Sequence, residues 1–240
     1  MKSRWSGFCV YFMHTLDILN LGSGIGYLDA LAIKREVHDL RAEGKIPDRL
    51  LLLEHRPVYT LGRSTLPGHL LLPPEKLSEA GIECIPCDRG GDITYHGPGQ
   101  LVGYPIIHLP EVRLKVVEYV TALEEVLIRT AQDFGIYANR DPRNRGVWVG
   151  NSKLAALGIR VSRQVTLHGF ALNVTTKLSD FRGIVPCGLD GVGVTSFEKI
   201  LGKKAPPMDE VIRSVAVHFQ EVLHYTQLHF SSAPSNAPTD

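Results

Sequence analysis

Cysteine is scarce in this sequence: four in 240 residues, at positions 9, 84, 87 and 187. Four irregularly spaced cysteines cannot build a disulfide framework, so a reducing compartment is expected. Charge imbalance is missing too. With 26 basic residues against 25 acidic, nothing drives non-specific binding to nucleic acid or to an anionic membrane. No apolar run approaches the about 18 residues of a membrane span. The leader features of secretion are also wanting: Lys2 and Arg4 precede only a short apolar patch, Phe8 to Met13, with no small-residue cleavage site. No Arg-rich, Ser-rich amphipathic start marks mitochondrial import, which makes the cytoplasm the expected location. Phosphate cradles of the G-x-x-x-x-G-K-[ST] or helix-opening G-x-G-x-x-G type are absent, and no His, Cys, Asp or Glu cluster has metal-ligand spacing.

What remains, 44% hydrophobic and 21% charged residues, is the composition of a globular domain with a sizeable core. Ala30, Ile33, Val37 and Leu40 recur at helical spacing before Gly44 and Pro47 stop them. "RLLLLEH" and "PVYTLGR" read as strands, and Pro74 to Ala80 as a short helix ended by Gly81. Strands are expected at Ile82 to Cys87, Asp92 to Tyr95 and Leu101 to Ile107. The clearest helix is Arg113 to Phe134, striped by Val116, Val120, Leu123, Leu127 and Ala131 and closed at Gly135. Three strands follow, "GVWVG", "KLAALGIRV" and "QVTLHGFALNV". Ser179 to Gly193 reads mostly as loop, and Ile212, Val215, Phe219 and Val222 mark a last helix. Helices interrupting a largely β core argue α+β or mixed α/β within one domain.

Three features can carry chemistry. "RGGDITYHGPGQLVGYPI", Arg89 to Ile106, spends glycines inside strand-like sequence, which fits either a ligand approaching the backbone or a pair of tight turns. Cys187 stands between Pro186 and Gly188 in "IVPCGL", a setting that leaves the sulfur uncovered, whereas a buried apolar cysteine would be inert. A nucleophilic cysteine needs a group that favours its thiolate. Lys153, opening the apolar "KLAALGIRV", can supply an ammonium, or can be a strand-end lysine reaching solvent. His96 and His168 sit in glycine-containing strands as candidate bases or as satisfied core histidines. Arg140, Arg143 and Arg145, and separately Lys203 and Lys204, are candidate basic patches or solvated loops. Cys84-Ile-Pro-Cys87 matches C-x-x-C but ends a strand and has no second pair, so it reads as structural.

"LLLLEHRPVYTLGR", "RGGDITYHGPGQLVGYPI", "GNSKLAALGIR", "HGFALNV" and "IVPCGL", in this order and spacing, resemble the lipoyl(octanoyl) transferase family. The resemblance implies a catalytic domain over 21–228, with 1–20 an extension of unassigned role; 229–240, ending in the small, polar, proline-bearing "SSAPSNAPTD", reads as a disordered tail. It implies a mixed-sheet α/β sandwich like the catalytic domain of biotin and lipoate ligases. It further implies an acyltransferase that needs no cofactor or ATP. The donor would be octanoyl-acyl carrier protein, and the acceptors the lipoyl domains of 2-oxoacid dehydrogenases and the glycine cleavage H protein. Carried over, the acyl-thioester nucleophile falls on Cys187 and its partner on Lys153. Substrate binding falls on Arg89, Gly90, Gly91, Asp92, Ile93, Thr94, Tyr95 and His96, then on Ala156, Leu157 and Gly158, and on Gly169, Phe170 and Ala171. The glycines would keep side chains out of a tunnel for a linear acyl chain.

Two other functions compete. An ATP-dependent lipoate or biotin ligase shares the fold and a similar arginine-glycine-glycine segment, but would not need Cys187. A non-catalytic module that docks acyl carriers would bind without forming a covalent intermediate.

Overall fold

The computed structural model describes residues 14–142, 144–185 and 192–232. In chain order they form β1 (Thr15–Asn20), α1 (Tyr27–Ala42), β2 (Asp48–Leu53), β3 (Val58–Leu61), α2 (Pro74–Ala80), β4 (Glu83–Pro86), β5 (Thr94–His96) and β6 (Gln100–Ile106). Then come α3 (Val116–Asp133), β7 (Gly146–Val149), β8 (Ser152–Ser162), β9 (Val165–Asn173), β10 (Gly193–Val194), α4 (Phe197–Leu201), α5 (Met208–Leu223) and β11 (Gln227–Ser232).

The main sheet runs β10-β8-β9-β6-β2-β1-β11, with β7 also paired to β8, and mixes parallel and antiparallel neighbours. Helices cover both of its faces. On one, Leu50, Leu52, Leu101 and Leu172 pack with Leu123 and Leu127 of α3 and Val215 and Phe219 of α5. On the other, Leu51, Leu53, Val102, Tyr104 and Ala171 pack with Ala30 of α1. Cover on both sides explains the unbroken "LLLL" of β2, since each successive side chain enters one core or the other. A smaller sheet, β4-β3-β5, carries its own apolar cluster around Tyr59, Ile93 and Tyr95.

Local chemistry sets the helix limits. Glu118 accepts the backbone N–H of Lys115 at 2.7 Å where α3 begins. Gly81 takes φ 64° to end α2, as a left-handed cap requires. The sheet reaches past both expected boundaries, 21 and 228. β1 lies between β2 and β11 with Leu16 and Ile18 fully buried, and β11 runs on to Ser232. The expected loop from Ser179 to Gly193 also opens inside a short 3-10 helix, Leu178–Gly183.

The main sheet is irregular where β6 meets β9. Their ladder pairs Gln100 with Asn173 through Gly103 with Phe170 and stops there. Continued, it would set Pro105 opposite His168. Pro105 has no N–H to donate, and His168 takes φ 61°, outside strand geometry. Strand alternation would send the His168 side chain to the α3/α5 face with Phe170 and Leu172; the left-handed turn sends it to Lys34 of α1 instead.

Candidate active site

Between the α1-covered face of the main sheet and the segment from Asp88 to His96 lies a cleft of about 610 Å³, open mouth included. Arg89, Gly91, Asp92, Ile93, Thr94 and His96 line one wall, and Ala156, Leu157, Gly158, Gly169, Phe170 and Ala171 the other. Gly90 and Tyr95 do not reach it. Gly90 donates its N–H to Ile159 O at 3.0 Å, tying the segment to β8. Tyr95, between Thr94 and His96 on β5, points to the opposite side, its ring against Tyr59 and Phe181 and its hydroxyl donating to Asp180 Oδ2 at 2.9 Å. Tyr27, Val102, Tyr104, Asn144 and His168 complete the lining; of these only His168 is singled out in the sequence, as a candidate base, and no motif marks Tyr27 or Asn144.

Gly158 and Gly169, on the cleft wall, also admit neighbouring backbone. A Cβ on Gly158 would stand 2.9 Å from Gly90 O, and one on Gly169 only 2.2 Å from Gly103 O. Both let backbones approach, Gly158 admitting the Arg89–Gly90 segment and Gly169 admitting β6. Arg89 holds that segment from the other side. Its guanidinium donates to Thr60 O at 2.7 Å, to Thr60 Oγ1 at 3.0 and 3.2 Å, and to Gly90 O at 3.1 Å.

At one end of the cleft stands Lys153, which is buried rather than reaching solvent. Its Nζ donates to Asn144 Oδ1 at 2.8 Å and to Arg145 O at 3.3 Å, and lies 4.7 Å from the centre of the Trp148 ring. A small adjoining hollow touches Lys153 together with Thr94, Ala156 and Ala171 of the cleft. β10 returns the chain beside it: Gly193 pairs with Ser152 and Val194 with Lys153. Cys187 lies outside the described residues, as do Pro186 and Gly188.

At the other end a buried polar group gathers. Lys34, with no solvent exposure, donates to His168 Nδ1 at 3.1 Å, and His168 Nε2 donates to Asp88 Oδ1 at 2.7 Å. The Lys34 ammonium sits 4.3 Å from the Tyr104 ring centre and 4.9 Å from that of Tyr27. Burial pulls the lysine down to about 7 and His168 down to about 3. Burial works against ionised Asp88, but the His168 hydrogen bond and the Arg160 guanidinium outweigh it and hold the carboxyl below its usual range. His96 is equally enclosed. Its Nδ1 meets Gln100 Oε1 at 2.8 Å, and burial drives its pKa well below the usual imidazole value. His55, next to it, bonds Tyr104 Oη at 2.7 Å and is pulled down to about 4 by burial. These histidines are therefore neutral at pH 7, parts of the wall rather than poised bases.

Other candidates resolve into structural roles. Arg140 pairs with Glu124 and Glu125, and Arg145 with Glu124, which neutralises that basic patch; Arg143 is outside the described residues. Cys84 and Cys87 are free thiols three residues apart on extended chain, so their side chains face opposite ways. Cys84 joins the small-sheet cluster, where burial pushes its thiol up, and Cys87 donates to Leu61 O at 3.3 Å.

The sequence matches the lipoyl protein ligase A/B catalytic domain family over residues 26–220. It is 45% identical over 229 residues to the octanoyltransferase of Koribacter versatilis, covering 93% of this chain and 90% of that one. Among solved structures, a bipartite lipoate protein ligase from Thermoplasma acidophilum superposes with a TM-score of 0.67 at 16% identity, over 92% of this chain and 89% of that one. The biotin protein ligase of Aquifex aeolicus, in complex with biotin and ATP, gives 0.52 at 14% identity, over 87% and 70%. The mixed-sheet sandwich is thus the fold of this ligase-like group. Among the described residues, no helix is long and apolar enough to cross a membrane.

Proposed function

Because the chain belongs to the lipoyl protein ligase A/B catalytic domain family, we propose that it is an octanoyltransferase. It moves an octanoyl group from an acyl-carrier thioester to the lysine amine of a lipoyl domain. Acyl carrier protein is the proposed donor, and the lipoyl domains of 2-oxoacid dehydrogenases and the glycine cleavage H protein the acceptors. The name of the 45% identical relative supports the reaction class.

The observation that carries the mechanism is the buried Lys153 at the end of a largely apolar-walled cleft, with β10, just downstream of Cys187, paired against it. In the proposed first step the Cys187 thiolate attacks the donor carbonyl; a new thioester forms on Sγ, and the carrier sulfur leaves as a thiol by taking a proton from the Lys153 ammonium. In the second, the acceptor amine attacks that thioester, its proton passes to the Lys153 amine, and the octanoyl amide and the Cys187 thiolate are released. Lys153 as an ammonium favours the thiolate, and as an amine takes the proton from the attacking nitrogen. An amide is more stable than a thioester, so the sequence runs downhill without ATP.

Intact-protein mass spectrometry after mixing the enzyme with octanoyl-acyl carrier protein, without ATP, tests this. One octanoyl mass added to wild type, missing in Cys187→Ser and discharged by a lipoyl domain, is the expected result. Transfer that requires ATP and free octanoate would replace the reading with a ligase.

A further inference from the structure

Lys34 is a charged side chain with no exposure and no described carboxylate in contact with it. A buried ammonium is costly unless its surroundings compensate, and here two aromatic faces and one imidazole nitrogen contact it, with Cys87 and Asp88 acting electrostatically from further off. All three of the contacting partners, Tyr27, Tyr104 and His168, line the cleft. The Tyr27 hydroxyl is itself buried with no oxygen or nitrogen partner. The cluster therefore presents the cleft with a polar plate that hydrocarbon cannot satisfy.

Its position follows from strand register. His168 pairs with Ile159, and Lys153 precedes Ile159 by six residues on β8, about 20 Å along the strand. The chemistry and the polar plate thus sit at opposite ends. Between them lie the apolar or side-chain-free positions Ala156, Gly158, Gly169 and Ala171. The run from Ala171 to His168 is three residues, about 10 Å, the scale of an extended medium-length acyl chain.

We propose that Lys34, held between the Tyr27 and Tyr104 rings at the end of the cleft away from Lys153, sets the maximum length of acyl chain that the cleft accepts. A chain one or two carbons too long must push its methyl end against the Tyr27 and Tyr104 rings and the His168 imidazole, which line the cleft and cover the Lys34 Nζ, and must either displace them from it or set an apolar group on polar atoms. This rests on the acyl-transfer reading for the identity of the substrate, but the geometry can be tested by binding alone.

The experiment measures affinity for straight-chain carboxylates of six to fourteen carbons by calorimetry, and transfer rates from the matching acyl-carrier donors. Wild type and Lys34→Met are compared; methionine is unbranched, falls one atom short of lysine and removes the charge. Wild-type affinity should rise about fourfold per methylene up to a cut-off and then level off or fall. In Lys34→Met the rise should continue for about two more carbons, moving the ratio of long to short chains by about sixteenfold. Identical cut-offs in both proteins would overturn the proposal. Should Lys34→Met fail to fold, Tyr27→Phe carries the test, since it removes an unpaired hydroxyl without changing packing and should lengthen the cut-off in the same sense. A shifted cut-off in a protein that transfers no acyl group would keep the length-setting role and discard the transferase; normal transfer with an unshifted cut-off would do the reverse.

Discussion

Arg89 shows how much a single residue can do through geometry rather than charge. Its guanidinium donates to oxygens of Thr60 and Gly90, none of them ionised. A lysine would keep the positive charge but not the planar fork that reaches Thr60 from two nitrogens. Arg89→Lys should therefore cost about 2 kcal/mol in urea unfolding and weaken substrate binding by loosening the cleft wall. Unchanged stability would mean that charge alone suffices there. Lys153 poses the complementary case. Lys153→Met should leave the fold intact by thermal melting, because the vacated site is lined by Trp148, yet lower transfer about a hundredfold or more if the amine manages the thiolate and the proton. A loss of melting temperature with activity per folded molecule unchanged would reduce it to a packing residue.

At the scale of elements, β8 is where substitution tests the cleft most sharply. Gly158→Val would drive a branched side chain into Gly90 O and the Arg89 side chain, whose nearest atoms lie within 3.1 Å of a Cβ there. The segment from Arg89 to His96 should lift away from the sheet, seen as faster amide exchange at Gly90, and substrate affinity should fall for every chain length alike. A tunnel-filling substitution would instead discriminate between lengths. The elements themselves were largely legible, because periodicity reports burial: the stripe of α3, the Pro74–Ala80 helix with its Gly81 cap, and the strand runs that became β7, β8 and β9. β1 was not, since six residues without turn signals say little until β2 and β11 are known to flank them. The site was legible only as motif. The family resemblance brought the 89–96, 156–158 and 169–171 stretches forward, but Tyr27 and Tyr104 come from helix and strand faces that sequence alone reads as core. His168 was visible as a histidine and invisible as a left-handed one, because that conformation depends on Pro105 across the ladder.

At the scale of the whole molecule, the buried basic groups couple stability to pH with a sign that can be worked out. Lys34 has its pKa lowered from 10.5 to about 7 by burial, so between those values the unfolded chain binds a proton that the folded chain does not. Stability must then rise with pH across that window, by up to about 1.4 kcal/mol per unit, and the cost of burying the charge is fully present below pH 7. His168 and His55, lowered by burial from 6.5 to about 3 and about 4, act in the same direction at lower pH: stability falls as the pH drops below 6.5. Above about pH 9 the sign reverses for other groups, since burial raises the Cys84 thiol from 9.0 and the Tyr59 phenol from 10.0 to about 12. The interval from pH 7 to 8.5 therefore isolates the lysine. Urea unfolding of wild type and Lys34→Met across it should give a wild-type curve that climbs and a variant curve that stays nearly flat, with the variant's advantage greatest at pH 7. Parallel curves would show that Lys34 keeps an ordinary lysine pKa in the folded protein, which requires either a counter-ion or water reaching the inner end of the cleft.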